Sequence, residues 1–429
     1  MSAVVVFIIF AICLVIAIPI SISLGIVAVL PGAFDTSFTA SAGYVIRSMV
    51  GGIDSFPLLA VPMFVLAGIL MAHGKISEKL FDVFVYFLGN KRAGIPCAVI
   101  ITCLFYGAIS GSAPATVAAV GSMTIPLLIE LGYEKDFSTA IVAVAGGLGV
   151  IIPPSIPFIM YAMATGESVS DLFLAGIVPG MMISALLIFY AYYYCRRHGE
   201  DREKIQAKMD QLKEKGFFYI LKESIWALLS PVIVLGCIYT GVASPTEAAV
   251  ISVFYSLFVS LFIYKSIKVK QIWGIMVEAM KTYAPILFIL ATSTAFSRVL
   301  TLMQVPQDVS AWIMAHFSNE IVLLLVINVV LLIVGMVMDT TPAILILSPI
   351  LLPIVQHVGM NPIHFGVMMI VNLAVGFVTP PVGVNLFVAS SLTNVPMMQI
   401  AKKAMPMIGY FMLALLLIAF IPAISLCLL

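Results

Sequence analysis

Gly149-Val-Ile-Ile-Pro153-Pro154 is matched, 227 residues later, by Gly376-Phe-Val-Thr379-Pro380-Pro381. Both stretches lie inside long apolar runs, 139–165 and 363–392. Proline has no N–H and clashes with the helical turn before it, so a double proline breaks a helix that hydrophobicity alone would continue. Bare backbone is costly in hydrocarbon, and a break at membrane depth therefore lies inside protein or against a water-filled cavity. A second pair precedes these breaks. Ser110-Gly111-Ser112-Ala113-Pro114-Ala115 answers to Met338-Asp339-Thr340-Thr341-Pro342-Ala343 at an offset of 228, and Gly132 with Gly359 and Pro179 with Pro406 recur at 227. Four matches in one order at a near-constant offset mark an internal duplication.

Composition sets the class. Of 429 residues, 62% are hydrophobic and 10% charged, with a mean hydropathy of +1.17. Soluble domains carry about 25% charged residues, and this chain has too few polar side chains to cover a globule of its size. A soluble enzyme, a disordered chain and a nucleic-acid binder are excluded. A net charge of +1 implies no global electrostatic partner. The six cysteines lie in or beside apolar runs without a CxxC pair, and the five histidines have no metal-ligand spacing, so neither disulfides nor a metal centre are expected. No Walker A loop is present: Gly68 to Gly74-Lys75 has the wrong spacing, and Ile76 stands where Ser or Thr is needed.

Apolar runs of about 20 residues, enough to cross a bilayer, fall at 3–30, 55–72, 177–195, 225–242, 245–264, 283–302 and 406–428. The run 3–30 exceeds a signal-peptide core and is expected to remain as one first span. Runs 94–131 and 320–356 are interrupted in the middle, and the amphipathic segments 75–91, 266–281 and 303–316 suit the interface. Segment 196–223, with eight Lys/Arg and six Asp/Glu, reads as a polar linker. Lys and Arg favour the cytoplasmic side. They occur at Lys75, Lys79, Lys91, Arg92, the linker, Lys265, Lys268, Lys270, Lys402 and Lys403, whereas 166–176 and 303–319 carry acids alone. One topology meets this bias: 94–131 and 320–356 double back as hairpins from opposite faces, with the N-terminus cytoplasmic and the C-terminus outside.

The expected fold is thus an all-α polytopic membrane protein made of inverted repeats, with two re-entrant hairpins and two broken helices. The first half is 1–195 (scaffold 1–92, hairpin and broken helix 93–176). The second is 224–429 (scaffold 224–319, hairpin and broken helix 320–405, last span 406–429). The cytoplasmic linker 196–223 joins them. Interrupted helices at corresponding places in inverted halves point to a secondary transporter.

The chemistry fits. Double prolines free carbonyls at 149–152 and 376–379; these are hard oxygen ligands suited to Na⁺, and half-helix C-terminal ends add negative potential. The hairpin tips place Ser110 and Ser112 before Pro114, and Asp339, Thr340 and Thr341 before Pro342. Both are helix-start signals, and exposed N–H groups at a helix start can hold a carboxylate. Neither hairpin core nor broken helix contains Lys or Arg, so one site could take an organic anion together with cations. Asp339, an acid at apparent membrane depth, reads as functional; helix capping is its plain structural alternative. Ser244-Pro-Thr-Glu247 reads as a capping box and Arg298 as a snorkelling cation at a span end. Asn385 reads equally as substrate-facing or as a helix–helix hydrogen bond.

With these residues in view, the chain resembles the large membrane subunit of tripartite ATP-independent periplasmic (TRAP) transporters over nearly its whole length. The resemblance rests on Gly107-Ala-Ile-Ser-Gly-Ser-Ala-Pro-Ala-Thr116, Gly146-Gly-Leu-Gly-Val-Ile-Ile-Pro-Pro-Ser-Ile-Pro157, Gly241-Val-Ala-Ser-Pro-Thr-Glu-Ala-Ala249, Met338-Asp-Thr-Thr-Pro342 and Gly376-Phe-Val-Thr-Pro-Pro-Val-Gly-Val-Asn385. It implies a Na⁺-driven importer of organic acid anions, of the C4-dicarboxylate or sialic acid type, in a bacterial inner membrane. It also implies an elevator-type fold like that of the ion-transporter superfamily, a small four-helix membrane subunit and a periplasmic substrate-binding protein. Sodium ions would be coupling ions, with no other cofactor and no catalytic residue. By position, the resemblance puts one sodium site at Ser110, Ser112 and the carbonyls of Gly149, Val150 and Ile152. It puts a second at Asp339, Thr340, Thr341 and the carbonyls of Gly376 and Thr379. Substrate is expected near Pro154, Ser155, Pro381 and Asn385. The main alternative is a stand-alone sodium-coupled di/tricarboxylate symporter needing no binding protein. An intramembrane hydrolase built on Ser112 lacks a nearby base, since His73, His198, His316, His357 and His364 fall at loops or span ends. A channel is disfavoured, because no charged or carbonyl filter ring is visible.

Overall fold

The computed structural model of the chain describes residues 3–34, 38–214, 216–316 and 319–429. The parts of the expected segments that fall on 1–2, 35–37, 215 and 317–318 lie outside them. Among the described residues the regular structure is entirely helical, and nine helices are long and apolar enough to cross a bilayer. This is an all-α, multi-spanning membrane fold.

Helix boundaries repeat as the motifs do. The first hairpin consists of Gly94–Ser110 and Ala113–Glu130; the second of Glu320–Val337 and Thr340–His357. The two second arms are displaced by 227 residues at both ends. The helices that break begin at Lys135 and Pro362 and resume as Ile156–Thr165 and Val384–Thr393. Val169–His198 and Met397–Phe420 follow. Local chemistry explains the joints. The first hairpin turns at Gly111, whose φ of +61° is left-handed and costs glycine little. The first break passes from Lys135–Ala145 through a 3₁₀ turn, Gly146–Val150, to Pro153-Pro154. Ser155 then caps the resumed helix by accepting from the Phe158 N–H at 3.4 Å. Both Pro-Pro bonds are cis. The hairpin arms have 17 or 18 residues, about 26–27 Å at 1.5 Å per residue, and three of the four are among the nine long apolar helices.

The halves exchange surfaces. The helix after the first break, Ile156–Thr165, packs on the second arm of the second hairpin, and Val384–Thr393 packs on the second arm of the first. Hairpins, broken helices, Val169–His198 and Met397–Phe420 share one hydrophobic core. Val6, Leu24, Val27, Phe296 and Val299 form a separate peripheral cluster.

Three expectations need correction. The run 3–30 is not one span but two helices, Ala3–Val15 and Ile20–Phe34. The chain turns between them at Ala17, φ +63°, because Pro19 lacks the N–H that would continue the first helix. The amphipathic segment 266–281 is not separate from the span at 283–302. Both belong to the 34-residue helix Val269–Leu302, which runs on through Pro285. The linker is shorter than its charge suggests. Its own helix is Arg202–Glu214, while 196–198 end the preceding long helix and residues from Phe217 start the next.

Candidate functional site

Both hairpin tips and both breaks meet at one small cavity of about 60 Å³, lined among others by Ser112, Val150, Asp339, Thr340, Thr341 and Phe377. At the first tip, the Thr116 hydroxyl donates to the Ser112 carbonyl at 2.8 Å and lies 2.9 Å from the Ser110 hydroxyl, which reaches the same carbonyl at 3.3 Å. Ser112 has the extended backbone of an N-cap, yet its hydroxyl makes no capping bond. At the second tip, the Asp339 carboxylate accepts from the Thr340 N–H at 2.7 Å and the Thr340 hydroxyl at 3.3 Å. Asp339 is also accessible from the cavity, so capping and ligand binding coexist on its several lone pairs. It is the one charged residue among the described lining. One water needs roughly 10–15 Å³ and ligand pockets start near 300 Å³. The cavity therefore has room for a cation and a few waters and is small for an organic acid. A donor set of hydroxyls, carbonyls and one carboxylate suits such a cation.

The other expected residues stand behind this lining. Gly107 and Gly376 let each break touch the first arm of its hairpin, whereas a Cβ on Gly149 would meet the Thr116 hydroxyl at 2.4 Å. A Cβ on Gly107 would lie 2.7 Å from the Gly149 Cα; one on Gly376 would lie 2.4 Å from the Gly335 carbonyl carbon. Gly107 and Gly335 repeat at an offset of 228, so the same close approach is made twice. Backbone bonds staple the breaks to the tips: the Ile156 N–H donates to the Gly111 carbonyl (3.3 Å), and the Val382 N–H to the Met336 carbonyl (3.2 Å). Some freed carbonyls are already engaged. Val150 accepts from the Ser155 hydroxyl at 2.5 Å, Gly376 from the Thr379 N–H and Phe377 from the Asn385 N–H. The Thr379 hydroxyl turns back to the Val375 carbonyl at 2.7 Å. Ile152 packs on Gly180. Pro154 is buried and Pro381 exposed. Asn385 is fully buried, and its amide donates to the Ala143 carbonyl (3.1 Å), tying one broken helix to the other. Pro154, Ser155, Pro381 and Asn385 do not line the small cavity.

A larger cavity of about 520 Å³ lies further along the same helices, with Ser55, Glu167, Thr294, Ser297 and Arg298 in its lining. Thr341 lines the small cavity and Leu345, one turn on, the large one; Ile286 and Leu290 stand in the same relation. Arg298 thus occupies a cavity wall rather than merely a span end. The signal available in sequence was the hydroxyl-rich run Thr292-Ser293-Thr294 leading to Ser297-Arg298 in an apolar helix. Two polar clusters brace the region from outside. The buried Glu200 carboxylate accepts from the Ala93 N–H (3.0 Å) and the Tyr133 hydroxyl (2.7 Å) and pairs with Arg202 (2.9 Å). The Lys403 ammonium, bonded to Glu134 at 2.5 Å, holds that carboxyl below its usual range, with the Tyr194 hydroxyl assisting and partial burial opposing.

The family model for the DctM component of the tripartite ATP-independent periplasmic transporter matches residues 7–424. The chain belongs to that family. Its function is transport, as one component of a three-part, ATP-independent system, and it is not an enzyme. It is 43% identical over 415 residues to the isethionate TRAP transporter permease protein DctMQ of Oleidesulfovibrio alaskensis, a match covering 97% of this chain and 64% of that longer protein. It is 39% identical over 375 residues to the C4-dicarboxylate TRAP transporter large permease protein DctM of Pseudomonas aeruginosa, covering 87% and 86%. The crystal structure of the Alcanivorax borkumensis YdaH transporter shares the fold, with a TM-score of 0.64 at 14% identity over 93% of this chain and 96% of that one.

Proposed function

We propose that the chain imports a small organic anion across the bacterial inner membrane, driven by Na⁺, with a small four-helix subunit and a periplasmic binding protein that delivers the substrate. The relatives are named for isethionate and C4-dicarboxylates, both small organic anions. The observation that carries the reading is the convergence of two hairpin tips and two helix breaks on one oxygen-lined cavity with a single carboxylate. In this reading Asp339, Thr340, Thr341 and Ser112 hold Na⁺, and the carbonyls of Val150 and Phe377, each already accepting one hydrogen bond, have a second lone pair to offer it. The larger cavity receives the anion, and Arg298 on its wall draws it in. An unpaired charge is costly to bury, so each ion favours the entry of its opposite, and that coupling is reciprocal.

In this reading the hairpins re-enter from opposite faces, the halves are inverted, and hairpins and broken helices move as one body, an elevator against the remaining helices; the surfaces the two halves exchange support it. The linker and Lys402 with Lys403 face the cytoplasm; 166–176 face the periplasm.

Thermal melting of the purified chain in NaCl against choline chloride tests the ion site. Sodium at 100 times its Kd should add about 2.7 kcal/mol. Asp339→Asn, which keeps a cap, and Ser110→Ala should both blunt that gain. Unchanged sodium dependence in both would remove the assignment. Reconstituted uptake should require Na⁺, the small subunit and the loaded binding protein; uptake by the chain alone from free substrate would favour the stand-alone symporter.

A further inference from the structure

A cavity of about 520 Å³ on the flank of the molecule has almost wholly apolar walls, including Leu88, Ile101, Ala185 and Phe189, and its lining is completed by Lys91 and Arg92. It lies between Ile76–Leu88, the first hairpin arm and Val169–His198. Both cations are exposed, and neither forms an ion pair with a described residue. Their turn is anchored: the next N–H, that of Ala93, donates to Glu200, and Arg202 donates to the Asn90 carbonyl at 3.3 Å. The nearby Glu200 carboxylate is engaged by its own three donors and leaves Lys91 and Arg92 free.

An apolar slot beside two exposed cations on an anchored turn, neither paired with a described residue, is complementary to an amphiphile. The slot takes hydrocarbon, and the cations take a phosphate. Basic pockets between membrane helices at the cytoplasmic boundary bind anionic headgroups in this way. We propose that the cavity binds one anionic phospholipid, acyl chain against Leu88, Ile101 and Phe189, phosphate on Lys91 and Arg92. The lipid then lies where Ile76–Leu88 meets the first hairpin, a place no sodium or substrate residue occupies.

The test is thermal melting of the purified full chain in detergent, titrated with phosphatidylglycerol, phosphatidylcholine or inorganic phosphate. Phosphatidylglycerol should raise Tm saturably. The double variant Lys91→Gln/Arg92→Gln should need about 30-fold more of it, the worth of two juxtamembrane cations. Ala185→Trp, which fills the slot, should abolish the rise, its lipid-free Tm serving as the reference. Equal stabilisation by phosphatidylcholine, or an undiminished response in either variant, overturns the site. An equal effect of inorganic phosphate overturns the lipid as its occupant. None of these readouts depends on uptake, so failure here and failure of the transport reading are separable.

Discussion

Gly376→Ala probes whether close backbone approach positions the proposed ion site. The new Cβ would stand 2.4 Å from the Gly335 carbonyl carbon and 2.6 Å from its Cα and oxygen. Carbon atoms settle at about 3.5–4.0 Å, so the break must withdraw from the hairpin by roughly 1 Å. Gly107→Ala imposes a similar shift in the first half, with its Cβ 2.7 Å from the Gly149 Cα. Overpacking costs about 1–3 kcal/mol, and the higher helix propensity of alanine returns up to about 1 kcal/mol, so the global loss is about 0–3 kcal/mol. The site should suffer more, because the carbonyls of the break move relative to the hydroxyls and carboxylate of the tips. The expected result is at least a tenfold weaker sodium midpoint in melting curves at constant ionic strength. Gly236→Ala and Gly409→Ala, helical positions with nothing within 4 Å, should keep that midpoint and melt slightly higher. If Gly376→Ala and Gly107→Ala retain the wild-type midpoint, the glycine contacts do not position the site.

Glu200→Ala strips the partner from Ala93, Tyr133 and Arg202 and should cost about 1–3 kcal/mol. Glu200→Gln, which can keep the bonds from Ala93 and Tyr133, should cost less; a Tm series compares them. Lys403→Met tests the Glu134 pair by pH. The folded carboxyl is held below its unfolded value, so the pair's stabilisation is complete above the unfolded pKa and fades as pH falls through the folded one. The Tm gap between wild type and variant should be present at pH 7 and close on acidification below about 4.5. It should amount to no more than about 1 kcal/mol, because Glu134 is half exposed.

Much of the candidate site is legible in the sequence because its causes are local. A double proline breaks a helix whatever surrounds it, and the repeat sets Val150 against Phe377 at an offset of 227 and the Ser110–Ala115 tip against Met338–Ala343 at 228 from the sequence alone. Gly107 and Gly335 escaped because the partner of a glycine is set by how closely two helices approach, which no spacing along one helix reports. Thr116 was missed because its hydroxyl returns one turn to Ser112, a bond indistinguishable in sequence from ordinary back-bonding. A snorkelling arginine and one on a cavity wall look alike in one dimension; the face that Arg298 presents decides between them. The engagement of Asn385 with Ala143 is a contact between residues 242 apart. The run 3–30 was misread because hydropathy averages over Pro19 as though it were one more apolar residue.

The exchanged half-helices bear on what the linker does. After its double proline, each copy lays a helix mainly on an arm that belongs to its sibling, with a smaller contact inside its own half. Cutting the chain in the linker would leave each half with most of that helix uncovered until it met the other half. The linker thus keeps at high local concentration two pieces that complete each other's cores.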